Sequence, residues 1–382
     1  MYIYKDKNMC TGCTACSNIC SRHAVSMRSD EKGFLYPEVD MSLCAKCGLC
    51  TAVCHTYEEE KKCYEEHAFY YINEDRDILQ QSSSGGAFSY IAQCVLEQNG
   101  WISGAVFDEQ LKVVHILSND ANDVLQMRGS KYAQSDLNLV FSNVKELLTN
   151  GKVVLFTGSP CQVIGLKKYL RKDYDNLICV DIICHSTPSP LIFEKYLEMK
   201  EEEIGTIQSI SFRDKRDGWE DYSICFETNN GKVYENHKHN LYMCGFTGDL
   251  YSRECCTHCP AKERTGYWSD ITIGDFWGAQ ELISEQDCSN GVSLIITHTE
   301  KGLNMVRDAN MTAIPLEVAV ANNPRYKTSH IRNKDSRIFW KIFQRKGIRY
   351  AYKHIYEPSM QRKTKLKLNL LVSKLLGNNY KK

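Results

Sequence analysis

Apolar and polar positions follow two rhythms along this chain. Largely apolar runs at 24–27 and 34–39 flank a polar turn at 29–33 and predict a hairpin. Residues 68–72 read as a strand, and from Ala87 to Gln98 apolar residues recur at helical spacing until Asn99-Gly100 stops the helix. Strands follow at 101–107 and 112–117, then a short helix at 120–127 and a longer one at 136–148, ended by Asn150-Gly151. The longest α/β pattern comes next. Residues 152–157 form a buried strand, Gly158 to Cys161 a turn with Pro160 at the first helical position, 162–170 a helix and 177–184 a second strand. A right-handed crossover makes those two strands parallel, so their C-terminal ends share one sheet edge.

Residues 269–278 are a short strand entering a glycine-flanked turn with Asp275, which an ordinary turn also explains. Toward the end of the chain Ile338, Phe339, Ile342 and Phe343, then Tyr352, Ile355 and Tyr356, recur at helical spacing, and 366–376 is apolar with Lys367 and Lys374 interposed. Charge sharpens this picture. The 47 basic and 47 acidic residues balance, yet 328–382 carries fifteen Lys and Arg against Asp335 and Glu357 alone, leaving 32 basic and 45 acidic residues before it. A basic helical tail therefore offsets an acidic body. It suits packing on that body, docking to a partner, or peripheral contact with an anionic membrane surface, whereas no base-reading module points to nucleic acid.

At 382 residues there is room for two or three domains. The first seven residues reach a charge by Lys5, and no stretch approaches 18 uninterrupted apolar residues, so a signal peptide and a membrane span are not expected. The expected location is cytoplasmic, and the nineteen cysteines then serve metal or redox chemistry.

Cys10, Cys13, Cys16 and Cys20 form a C-x2-C-x2-C-x3-C run, and Cys44, Cys47, Cys50 and Cys54 repeat it 34 residues on. Three thiolates spaced in this way wrap one face of a cubane while the fourth crosses to the other run. Cys10, Cys13, Cys16 and Cys54 would hold one 4Fe-4S cluster, and Cys44, Cys47, Cys50 and Cys20 the second. Zinc shares the C-x2-C spacing but needs four ligands, whereas two identical sets of four are present. Ser21 and His55 stand where proline commonly follows the fourth cysteine. The charged run 58–62 marks the boundary of this head.

Ser82 to Gly86 precede the helix at 87, and exposed N–H groups at a helix start suit a phosphate, as they suit any serine-rich cap. Cys161 and Cys184 lie at the shared sheet edge, where ligands bind in open α/β sheets. They could be a redox pair, two ligands of one metal centre or buried small apolar groups. Cys63, Cys94, Cys179, Cys225 and Cys288 stand outside any motif and read as buried apolar residues. Cys244, Cys255, Cys256 and Cys259 form a third cluster, with metal-ligand spacing between the last two.

Taken together, Ser84-Gly85-Gly86, Gly129-Ser130-Lys131-Tyr132, Gly158 to Gln162, Cys184-His185, Arg253 with Cys256 and Cys259, and Asp270 to Gly278 resemble the F420-reducing hydrogenase and dehydrogenase beta-subunit family, in family order over about two-thirds of the chain. The resemblance implies FAD and iron-sulfur centres. Ser84, Gly85, Gly86, Ser130, Lys131 and Tyr132 would line the FAD phosphates, and Cys161, Cys184, Cys256 and Cys259 would hold a third 4Fe-4S cluster beside the flavin. Ser186 departs from the family's glycine, and Cys244 and Cys255 are extra candidates. His185 and His258 adjoin these cysteines as supporting donors or surface histidines.

The expected architecture is an α+β ferredoxin-like domain over 1–57, an α/β flavin-binding region in two parts over 66–150 and 151–325, and a helical basic tail over 326–382. The expected function is a flavin and iron-sulfur oxidoreductase. Electrons would pass between a protein carrier or partner subunit and a small two-electron substrate such as a deazaflavin. A non-catalytic electron-transfer subunit and a thiol enzyme using Cys161 are the rival readings.

Overall fold

The computed structural model describes residues 3–56, 65–262, 268–307 and 309–357. The charged boundary run, Cys63 and the apolar segment 366–376 lie outside them. In the head, strands Val25–Ser29 and Leu35–Val39 pair antiparallel as the turn chemistry predicts. Each cysteine run ends in one helical turn, Ala15–Asn18 and Leu49–Ala52. Both turns are entered through a left-handed residue, Thr14 at φ 62° and Gly48 at φ 77°, so the 34-residue repeat extends to the backbone.

The body is a mixed α/β structure around an eight-stranded sheet. Its order is Thr312–Ile314, His67–Tyr71, Ser293–Thr297, Ile271–Asp275, Leu177–Ile182, Val154–Gly158, Trp101–Phe107 and Val113–Ser118. The four strands from Ile271–Asp275 to Trp101–Phe107 are parallel, and antiparallel strands flank them on both sides. Val154, Leu155, Phe156, Leu177 and Cys179 are fully buried, as expected for central strands covered on both faces. The helix Pro160–Leu170 starts at the proline, with Ser159 and Gln162 capping each other.

Two boundaries differ from the pattern. The long helix starts at Val140, because the Asp136 carbonyl and N–H bond to His115 and Val113 and extend the edge strand. The strand from Leu177 ends at Ile182, which places Cys184 in the loop beyond it. A three-stranded antiparallel sheet, Ile207–Asp214, Ser223–Thr228 and Gly231–Asn236, has no counterpart in the sequence pattern read above. The helical segment Ser336–Tyr356, broken at Gly347 (φ 78°), buries Phe339, Trp340, Ile348, Ala351 and Tyr352 in a cluster with Tyr196, Tyr242 and Tyr251. As far as Glu357, then, the basic C-terminal stretch packs on its own body.

Head and body share apolar core. Ala15 and Val53 pack with Val163 and Leu166. A Cβ on Gly165 would stand 2.7 Å from Cys13 Cβ, so this helix position must lack a side chain for the head to dock.

Candidate functional site

The four cysteines assigned by crossover to one cluster, Cys10, Cys13, Cys16 and Cys54, line one small cavity in the head. Burial pushes the Cys13 thiol up to about 12 and the Cys16 thiol well above its ordinary value, and the Cys54 charge adds to the shifts of Cys10, Cys13 and Cys16. Burial likewise raises Cys50, with Cys20 contributing. Cys54 thus sits with the first run, and Cys20 lies near Cys50 of the second. Cys44 is half-buried and Cys47 exposed, and backbone N–H groups of Ala24 and Lys46 point at Cys20 and Cys44 sulfurs. Among the described residues no three His, Cys, Asp or Glu side chains gather as ligands of one metal ion. A four-iron cubane spreads its thiolates around a larger body than a single ion.

A third cysteine group forms where separate elements meet. Cys161 opens the helix after one central strand, Cys184 follows the next strand, and Cys256 and Cys259 come from the turn Glu254–His258 and its end. Burial raises Cys161 well above its usual value, and Cys259, Cys184 and Cys256 add to the shift. Burial lifts Cys184 to about 12, again with contributions from Cys256 and Cys259. Cys256 is lowered by a hydrogen bond from Cys255, and the Thr187 N–H also points at its sulfur, 3.4 Å away. Cys244 is turned instead toward the carbonyls of His237 and Lys238. Of the cysteines outside motifs, Cys179, Cys225 and Cys288 are buried and Cys94 is half-buried.

This third group opens onto a cavity of about 640 Å³. Cys161 and Cys184 line it on one side, and Ser83, Ser84, Gly86, Ser130, Lys131 and Tyr132 line it elsewhere. The two loops are tied together, since Ser130 donates its backbone N–H to the Ser83 hydroxyl at 2.8 Å. Gly86, at φ 89°, begins the helix Ala87–Leu96 without a side-chain cap. Other expected phosphate contacts are placed differently. The Ser84 hydroxyl donates to the Val292 carbonyl at 2.7 Å, and Gly85 lies against the sheet, where a Cβ would come 2.1 Å from the Tyr71 carbonyl. The Lys131 ammonium, pulled down to about 7 by burial, donates to the Gln126, Arg128 and Gly129 carbonyls.

Several lining residues escaped the sequence reading. Arg213, from the unpredicted antiparallel sheet, pairs with Asp275 at 3.1 Å, and Trp219 donates to the same carboxylate. Burial opposes the Arg213 charge, but Asp275, Tyr132 and Tyr222 together offset this and hold it above its ordinary value. The guanidinium lies 4.2 Å over the Tyr222 ring. Behind the cavity, Lys215 is 4% exposed and donates to the Leu79, Ser84 and Asn290 carbonyls, which locks the serine turn in place. His115 is buried, its Nε2 against the Thr157 carbonyl. His185 pairs with Asp249 at 3.0 Å, and His258 is exposed. No local periodicity marks Arg213, near the end of the strand Ile207–Asp214, or Lys215, just past it.

The cavity is of cofactor size. Its volume falls within the range of about 300–1,000 Å³ usual for small-molecule and cofactor sites. On its wall His115 Nδ1 and Arg213 Nε are buried without a hydrogen-bond partner.

A 4Fe-4S dicluster domain model matches residues 9–57. The models described as coenzyme F420 hydrogenase/dehydrogenase, beta subunit N-term and C terminus match residues 68–141 and 151–320. The coenzyme F420-dependent sulfite reductase of Methanocaldococcus jannaschii is 27% identical over 317 residues, which cover 78% of this chain and 45% of that protein. The chain therefore spans about half the length of this relative. A chain of the F420-reducing [NiFe] hydrogenase complex from Methanosarcina barkeri overlays 72% of this chain and 99% of its own, with a TM-score of 0.44 and 17% identity.

Proposed function

The chain belongs to the coenzyme F420 hydrogenase/dehydrogenase beta-subunit family with a 4Fe-4S dicluster domain in front, and from that premise we propose that it is a flavin-dependent oxidoreductase passing electrons between a one-electron protein carrier and a small two-electron partner of the deazaflavin class. The observation that carries this reading is the cavity shared by the Ser83–Ser130 loop pair and the Cys161–Cys184 edge. Such a junction is needed where single electrons and electron pairs are exchanged. FAD, when bound, supplies the conversion between them.

In this reading the chain's residues bind and orient. Backbone N–H groups at the start of Ala87–Leu96, apart from that of Ala87, which donates to the Ser293 hydroxyl, would face the FAD phosphates, and Ser83 would hold the 129–132 loop against them. Arg213, fixed by Asp275 and stacked on Tyr222, presents a cation to the opposite wall. Cys161, Cys184, Cys256 and Cys259 would hold a third 4Fe-4S cluster beside the cavity, and the eight head cysteines two more. The working units are 1–57, 66–150, 151–325 and 326–382. A partner subunit or carrier would meet the head, and residues 358–382 would add peripheral contact with an anionic surface. Among the described residues no helix is long and apolar enough to cross a membrane.

The thiol-enzyme alternative loses ground, because burial raises Cys161 whereas a nucleophile needs a lowered thiol. Anaerobic purification with flavin, iron and sulfide analysis tests the proposal. About one flavin and about twelve irons per chain are expected. Iron and sulfide without flavin would make it an electron-transfer subunit instead.

A further inference from the structure

The two head sites are repeats in sequence, yet one side chain makes them unequal. Arg253 is fully buried. Its guanidinium donates to the Cys10 carbonyl at 2.8 Å, the Leu35 carbonyl at 2.8 Å and Gln134 Oε1 at 3.0 Å, and its Nη2 lies 3.8 Å from the Cys10 sulfur. The Tyr36 ring covers it at 4.3 Å and the Phe34 ring at 5.4 Å. Its backbone belongs to the third cysteine group, for its carbonyl accepts the Cys256 N–H and its own N–H donates to the Thr187 carbonyl. Among the described residues nothing equivalent serves the other head site. There the sulfurs of Cys20 and Cys44 receive neutral backbone N–H groups, Cys47 is exposed, and the nearby cations Arg22 and Lys46 stand in solvent, where their charge is screened.

A cluster gains negative charge on reduction, and its potential responds to nearby charge, to hydrogen bonds on its sulfurs and to exposure. Buried cations act strongly because little solvent screens them. We propose that Arg253 holds the cluster site of Cys10, Cys13, Cys16 and Cys54 at a higher reduction potential than the site of Cys20, Cys44, Cys47 and Cys50. An electron given up by a one-electron protein carrier at the exposed Cys47 face then comes to rest on the buried site, beside the residues that lead to Cys256. Arg253 is a positioning residue in this scheme. The inference rests on the reading of the eight head cysteines as ligands of two 4Fe-4S clusters.

The test is a reductive titration of the anaerobic full-length holoprotein followed by electron paramagnetic resonance. A soluble dysprosium complex serves as relaxation probe for surface clusters, and the third group's signal is identified by its loss in Cys259→Ser. Of the two head signals, the first to rise should be the one less affected by dysprosium. In Arg253→Gln the preference for that site should fall at least tenfold, about 59 mV for a one-electron couple, whereas Arg253→Lys keeps most of it. Simultaneous reduction in the wild type, earlier reduction of the dysprosium-sensitive cluster, or an unchanged preference in Arg253→Gln overturns the proposal. Should Arg253→Gln shed iron or fail to fold, the wild-type order decides. Fewer than about eight irons in the wild-type head would overturn the cluster reading itself.

Discussion

The Ser83 hydroxyl accepts the backbone N–H of Ser130 at 2.8 Å, and the Ser130 hydroxyl meets it at 3.0 Å. Two loops 47 positions apart are thereby closed into one wall of the cavity. Removing that acceptor leaves a partly buried N–H unpaired, at about 1–3 kcal/mol. Ser83→Ala is expected to weaken flavin retention by about 5- to 150-fold on that scale, read by fluorescence of released flavin after gel filtration. Retention equal to the wild type would disconnect the loop pair from the cofactor.

Cys161→Ser, Cys184→Ser, Cys256→Ser and Cys259→Ser should each lower iron by about four per chain, because one lost thiolate opens a cubane corner. Cys244→Ser should not, since that sulfur faces the His237 and Lys238 carbonyls. Iron and acid-labile sulfide analysis distinguishes the two classes. Loss of iron in Cys244→Ser with full iron in Cys184→Ser would replace the ligand set.

Lys215→Met strips three carbonyls, of Leu79, Ser84 and Asn290, of their shared ammonium. A cost of about 1–3 kcal/mol is expected, with faster hydrogen exchange concentrated at 79–84. An unchanged urea midpoint together with unchanged exchange would show that the lysine is not what holds the turn.

Burial lowers His115 from 6.5 to about 4. Below pH 6.5 the unfolded chain takes up a proton that the folded chain refuses, so stability is lost as pH falls toward 4. Relative to His115→Gln, the wild type should lose about 2 kcal/mol between pH 7 and pH 5. Parallel pH profiles for the two proteins would argue that the imidazole is accommodated as a cation.

Phe339 is fully buried, its ring 5.5 Å from Tyr251 and 5.6 Å from Tyr352. Phe339→Ala should therefore cost about 3–5 kcal/mol, measured by chemical denaturation. A loss under about 1 kcal/mol would mean that the C-terminal helix is an appendage and not part of the core.

Much of this molecule was legible one segment at a time. The cysteine repeat prescribed two equivalent sets and their exchange of fourth members, and Cys54 does stand with Cys10, Cys13 and Cys16. The strand, turn, helix and strand around Pro160 could be read because β-rich runs, a proline and a capping serine are all local features. The antiparallel sheet that carries Arg213 and leads into Lys215 could not, because its strands mix polar and apolar residues beside a separate core.

The sequence by itself determined what depends on neighbours along the chain: spacing of thiols, starts and stops of helices, and direction of adjacent strands. Backbone geometry allows few alternatives at that range. Only the tertiary structure decided which of the later cysteines meet Cys161, that the head shares core with the body, and that Arg253 reaches Cys10 across 243 positions. Such pairings are selected by close packing and by the need of buried polar groups for partners, and those demands arise only when distant segments are pressed together.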